Sequence, residues 1–130
     1  MPAPTVAMDT NALMMPVELD VRVFDELERL LEGAELVTPR AVVEELRDLG
    51  QRGTGEESVA ASVGEDLAQE RCRIIEHGEP HADDAIVDLA REGSFDYVVT
   101  NDVPLRNRLL ELGVPVIGLR GQNKLAITQP

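Results

Sequence analysis

The sequence predicts an α/β fold: a three-layer α/β/α sandwich around a mainly parallel central sheet of about five strands, with residues 1–130 forming a single domain. Two patterns predict it. Short, continuously apolar runs recur along the chain, as strands buried on both faces require. Between them lie stretches whose leucines and valines fall at helical spacing and stop at glycine, so strand and helix alternate through short links. A chain of 130 residues is large enough to bury roughly 65–70% of the surface its unfolded form exposes. With 43% apolar but only 2% aromatic residues, its core must be built from Val, Leu, Ile and Ala.

Taken in order, Thr5 to Met8 reads as a buried strand that ends abruptly in Asp9-Thr10-Asn11. Val23, Leu27, Leu30 and Leu31 give a helix over 22–32 that Gly33 ends. Glu35 to Thr38 is the second strand, and Pro39 opens a helix whose Val42, Leu46 and Leu49 share a face until Gly50. Gln51 to Gly55 breaks the chain before an Ala-rich acidic helix, Glu56 to Arg71. Cys72 to Glu76 is the third strand, His77 to Pro80 a loop, and Ala82 to Arg91 a helix closed by Gly93. Phe95 to Thr100 is the fourth strand, Val103 to Leu112 the last helix, and Val114 to Leu119 the fifth strand. The final eleven residues carry no clear pattern.

Twenty-five acidic against twelve basic side chains give a net charge of −13, and Lys124 is the sole lysine. Such a chain repels itself and repels nucleic acid at low salt. The excess suits a concentrated-salt cytoplasm, where the Debye length falls to roughly 3 Å near 1 M; an ordinary acidic protein is the other reading. Cys72 has no partner for an internal disulfide, and no Cys/His group has zinc-site spacing. Nothing in the sequence targets or spans a membrane, so the cytoplasm is the expected location.

In a parallel sheet, ligands bind outside the carboxyl ends of the strands. Asp9 and Asp102 each follow an apolar strand directly and converge if those strands are neighbours. On the helical wheel Glu45 borders the core while Glu44 faces water. Asp83 and Asp84 open a helix, where carboxylates ordinarily cap amides and complement the dipole; the wheel puts Asp83 nearer the apolar face. Taken singly, each of these acids can be a cap or a solvated charge. Several carboxylates converging without a cation among them would instead call for a hard divalent ion, Mg²⁺ or Mn²⁺ with retained waters. Such a site can drive hydrolysis of a phosphodiester.

Asp9-Thr10-Asn11, the run from Pro39 through Val43-Glu44-Glu45-Leu46, Ala82-Asp83-Asp84-Ala85-Ile86, and Val98-Val99-Thr100-Asn101-Asp102 with Leu105 resemble, in order, the motifs of a PIN domain. The Ala-Asp-Asp and Thr-Asn-Asp pair is most similar to the archaeal branch that includes Fcf1-type rRNA-processing nucleases. The resemblance implies a metal-dependent endoribonuclease in rRNA or other RNA processing, with Asp9, Glu45, Asp84 and Asp102 as the catalytic acids. It also implies Asp9, Asp84, Asp102 and Asp83 as metal ligands, with the family pattern favouring Asp84 over Asp83, and Asn11 and Thr100 as orienting residues. Arg106 and Arg108, just after Asp102, are the expected contacts to single-stranded RNA, with Arg40, Arg47, Arg120 and Lys124 behind them. A VapC-type toxin paired with an antitoxin and a non-catalytic RNA- or protein-binding module, for example in ribosome assembly, are the alternatives. A homodimer is what the resemblance suggests. Aspartyl phosphatases and receiver domains fit poorly, because Asn11 stands where Asp-x-Asp would need an acid and Lys124 comes too late for a receiver lysine.

Overall fold

In the computed structural model, which describes residues 2–130, six strands form one sheet: β1 (Thr5–Met8), β2 (Glu35–Pro39), β3 (Arg73–Ile75), β4 (Tyr97–Val99), β5 (Val116–Arg120) and β6 (Lys124–Thr128). Their order is β3-β2-β1-β4-β5-β6. The first five run parallel, and β6 returns antiparallel along β5. The expected α/β class holds, with a sixth strand at the end of the chain where the pattern is weakest. Six helices flank the sheet: α1 (Thr10–Glu18), α2 (Val23–Leu30), α3 (Arg40–Arg52), α4 (Gly55–Arg71), α5 (Ala82–Arg91) and α6 (Val103–Glu111).

Strand β1 lies between β2 and β4, with Met8 level with Val99. The chain winds outward in both directions from this central pair, so the crevice past Met8 and Val99 is the switch point of the sheet. Val6, Ala7, Met8, Val98 and Val99 are fully buried, which fixes the pair rigidly at the centre of the core.

Helix α1 is absent from the sequence expectation, and the reason is its surroundings. Ala12, Leu13, Met14 and Met15 are all buried, so the helix shows no amphipathic period, and Pro16 inside it reads locally as a breaker. Met14 and Met15 are thereby core residues. Gly50 corrects a second expectation, since α3 continues through it to Arg52 and is capped by Gly53. A Cβ on Gly50 would lie 2.7 Å from Ser62 Oγ, while Ser58 Oγ donates to the Gly50 carbonyl at 2.8 Å. The glycine marks the close approach of α4, and the helix runs on beneath it. Pro39 is the last residue of β2 and the N-cap of α3 rather than its first residue.

Strand β6 is held from outside the sheet as well as by β5. Glu26 accepts the Leu125 amide at 2.9 Å and Arg29 at 2.7 Å, while Arg29 donates to the Leu125 carbonyl at 2.9 Å. Arg29 and that amide hold the Glu26 carboxyl down at about 2. Buried Leu125 is thus pinned beneath α2.

Helices α1 and α4 meet at Gly64, where a Cβ would sit 3.0 Å from the Leu13 carbonyl oxygen and 3.1 Å from Leu46 Cδ2. The carbonyl is backbone and cannot swing away. Gly64→Ala is therefore expected to destabilise the fold by about 1–3 kcal/mol through overpacking, despite the better helix propensity of alanine. Thermal unfolding followed by circular dichroism checks this; an unchanged or raised Tm refutes the close-packing account.

Candidate active site

Four segments place acids around the crevice at the ends of β1 and β4. Asp9 follows β1 and is the N-cap of α1, its Oδ1 accepting the Ala12 amide at 2.8 Å. Asp102 stands in the equivalent place after β4, capping α6 through Oδ1 and the Leu105 amide at 2.8 Å. Each carboxylate thus uses one oxygen to satisfy a helix N-terminus and keeps the other for further contacts. Sequence reasoning gave the capping role to Asp83 and Asp84 as their ordinary explanation. The structure instead makes His81 the N-cap of α5, without a side-chain cap bond, so these two acids lie in the first turn and act there on the helix dipole.

Thr100 ties the two capped acids together. Its buried hydroxyl donates to Asp9 and accepts the Asp102 amide at 3.0 Å and Asn11 Nδ2 at 3.4 Å. One donor and two acceptor positions are all that a hydroxyl offers, and all are used. Asn11 completes the bridge with its Oδ1, which accepts the Asn101 amide at 3.1 Å. Asn101 in turn accepts the Leu119 amide at 2.8 Å, linking the crevice to β5. On the other flank, buried Thr38 of β2 donates to the Met8 carbonyl at 2.8 Å. Asn11 and Thr100 are therefore frame members that set where Asp9 and Asp102 sit.

The electrostatics follow from burial. Asp9 is 2% exposed; desolvation raises its carboxyl to about 7, against hydrogen bonds from Thr100 and Ala12 and with added repulsion from Asp83 and Asp102. Asp83 is raised as well, by partial burial and then by Asp102 and Glu45. Asp83 is thus the member of its pair that shares the field of the crevice acids. Asp84, the less exposed of the two, forms an ion pair with Arg108 at 3.1 Å. Glu45 and Glu44 are both exposed, and Glu45 accepts a hydrogen bond from the Thr10 hydroxyl. The contact from Thr10, on α1, ties α3 to the crevice and carries no signal in the sequence.

The cations expected nearby divide. Arg108 is paired to Asp84, Arg40 to Glu76 and Arg47 to Glu65; Arg106 has no ion pair among the described residues. His77 and His81 stay in the loop before α5, where His77 Nδ1 accepts the Glu79 amide.

The donor set is all oxygen, which suits Mg²⁺ or Mn²⁺ and not zinc. Among the described residues no group of three acidic, His or Cys side chains is placed to hold a metal ion. An ion there would have to keep several waters and take only one or two carboxylates from the protein. Two raised carboxyls near a third acid supply the unbalanced negative charge such an ion would neutralise.

Asp9 also sets a pH dependence. Its folded value of about 7 lies above the ordinary 3.8, so between these limits the native state holds a proton that the unfolded state has lost. Without divalent ions, stability is expected to fall as pH rises from about 4 to 7, by up to about 4 kcal/mol, and then to level off. Asp9→Asn keeps an oxygen for the Ala12 amide and removes the titration. Its denaturant midpoint in EDTA is expected to lack this downward trend; a slope equal to that of the native chain refutes it.

Comparison with known proteins agrees with this architecture. A family model described as PIN like domain matches residues 6–122. Ribonuclease VapC4 of Methanocaldococcus jannaschii is 29% identical over 119 residues, covering 88% of this chain and 89% of that protein. Among solved structures, the PIN domain endonuclease Utp24 superposes with a TM-score of 0.77 at 22% identity, over 97% of this chain and 92% of that one. VapBC2 from Rickettsia felis, bound to a DNA fragment from its promoter, gives 0.57 at 14% identity, over 89% and 99%. The family match takes in the ends of β1 and β4 and the acid-bearing turns of α3, α5 and α6, and on that ground the chain belongs to the PIN-like domain family.

Proposed function

We propose that this protein is a divalent-metal-dependent endoribonuclease whose centre is the crevice between Asp9 and Asp102. The observation that carries this reading is the pairing of a buried, raised Asp9 with Asp102 at the ends of adjacent parallel strands, each tied through one oxygen to a helix N-terminus. Similarity to a named ribonuclease, 29% identical over 119 residues, supports the reaction class.

Asp9 and Asp102 would hold Mg²⁺ or Mn²⁺ directly, with Asp83, Asp84 and Glu45 acting on it through retained waters. When bound there, such an ion supplies Lewis acidity at a phosphodiester and an acidified water. The chain's own contribution is rigidity: Thr100 and Asn11 fix the two strand-end carboxylates, so that little reorganisation is needed on substrate binding. Thr10 restrains Glu45 at the rim. Arg108 neutralises Asp84 and so lowers the negative charge a phosphate must approach. Cleavage within a processing pathway for rRNA or other RNA is the first reading of its role, carried by the Ala-Asp-Asp and Thr-Asn-Asp motifs. A toxin restrained by an antitoxin is the second, favoured by the identity to ribonuclease VapC4. The cytoplasm is the location both readings require; no described helix is long and apolar enough to cross a membrane.

Calorimetric titration with Mn²⁺ in high salt is expected to give saturable binding that Asp9→Asn combined with Asp102→Asn abolishes. The same pair is expected to lower cleavage of single-stranded RNA by at least about a hundredfold, and Asp83→Asn to lower it more than Asp84→Asn. Absence of metal binding by the native chain would sink the nuclease reading. Growth arrest on expression, relieved by a neighbouring gene product, would select the toxin role; unaffected growth with trimmed RNA precursors would select processing.

A further inference from the structure

We infer that the RNA strand leaves the catalytic crevice along a groove over the edge of β5 and β6, with Arg106 and Arg120 holding successive phosphates of a single strand. This rests on the nuclease reading above and adds a direction and a second anchor to it. The groove has a volume of about 490 Å³, and its lining includes Thr100, Asn101, Arg106, Gly118, Arg120 and Thr128. Thr100 and Asn101 belong to the frame of the crevice, so the groove adjoins the site across that frame.

Charge sets this groove apart. Four other concavities on the surface each present at least one carboxylate: Asp20 and Asp25 in two of them, Glu44, Glu45 and Asp48 in a third, and Glu28 in a fourth. The groove beside Thr100 presents none, in a chain that carries 25 acidic residues. Seven arginines are neutralised by ion pairs among the described residues: 29, 40, 47, 52, 73, 91 and 108. Arg22, Arg71, Arg106 and Arg120 are in none of these pairs; the first two share a concavity with Asp20 and Asp25, whereas Arg106 and Arg120 line the groove that has no acid. Keeping two guanidiniums unpaired here, in a chain with a net charge of −13, leaves their forked donors available for an incoming anion.

Shape selects a single strand. The volume is that of a small-ligand pocket, roughly 300–1,000 Å³, enough for a nucleotide or two but not for the width of a duplex. Gly118 forms part of the floor, where a Cβ would stand 3.1 Å from the Thr100 carbonyl oxygen and 3.4 Å from Asn101 Oδ1. The floor is therefore pressed flat against the crevice frame, and a sugar or base can lie over it. Arg108, expected from its sequence position to touch RNA, faces Asp84 instead, so the track turns towards β5 and away from α5.

The test is fluorescence anisotropy with a labelled single-stranded RNA 12-mer of mixed sequence, in Ca²⁺, whose looser coordination than Mg²⁺ disfavours cleavage. Arg106→Ala and Arg120→Ala are each expected to weaken binding about fivefold and to flatten the slope of log affinity against log salt by about 0.7. Arg91→Ala, which removes a distant ion-paired arginine, is expected to change neither. Unchanged affinity and slope for Arg120→Ala would overturn the groove, as would equal competition by a duplex of the same sequence or no binding by the native chain. Arginine-dependent binding without any cleavage in Mg²⁺ or Mn²⁺ would leave the groove standing and remove the nuclease reading.

Discussion

Burial of a carboxylate at the carboxyl end of the sheet's central strand constrains the rest of this molecule. Asp9 sits where the chain leaves the innermost strand, with fully apolar residues behind it and hardly any contact with water. An isolated charge there is costly, and the surrounding sequence offsets that cost in three ways. Helix α1 begins at once and presents its amides, Thr100 gives its only proton, and proton uptake takes over where those are insufficient. Without α1 the acid would have no cap, and without β4 alongside it would have no threonine.

The same constraint explains how the helices are packed. Glycines 50 and 64 allow α4 to press against α3 and α1, and α1 is the helix that Asp9 caps. Side-chain bulk at Gly64 would press on the Leu13 carbonyl of α1. Gly64 thereby lets α4 cover the helix that Asp9 caps, whose Ala12, Leu13, Met14 and Met15 are all buried.

What the sequence makes legible is whatever has a local period or a motif. The parallel strands and the amphipathic helices α2, α3 and α5 have one, and Asp9 and Asp102 are marked by following apolar runs directly. Helix α1 escapes because burial on all sides erases its period, and β6 because its stability comes from Glu26 and Arg29, far away in sequence. The ion pair of Asp84 with Arg108 spans twenty-four positions, and adjacency in the chain cannot reveal it. Arg120 likewise acquires meaning only when β5 is laid beside the crevice.

The double duty of Asp9 and Asp102 as helix caps bears on how such a protein can lose its chemistry over evolutionary time. Replacement by alanine or valine would strip a helix of its cap as well as a site of its charge, so drift towards an inactive form meets a folding barrier. Asparagine is the natural exit, because it retains the capping oxygen and sheds the charge. On the proposed nuclease reading, an inert descendant of this fold is therefore expected to carry amides at positions 9 and 102, and such a pair in a relative would be the fossil of an abandoned active site.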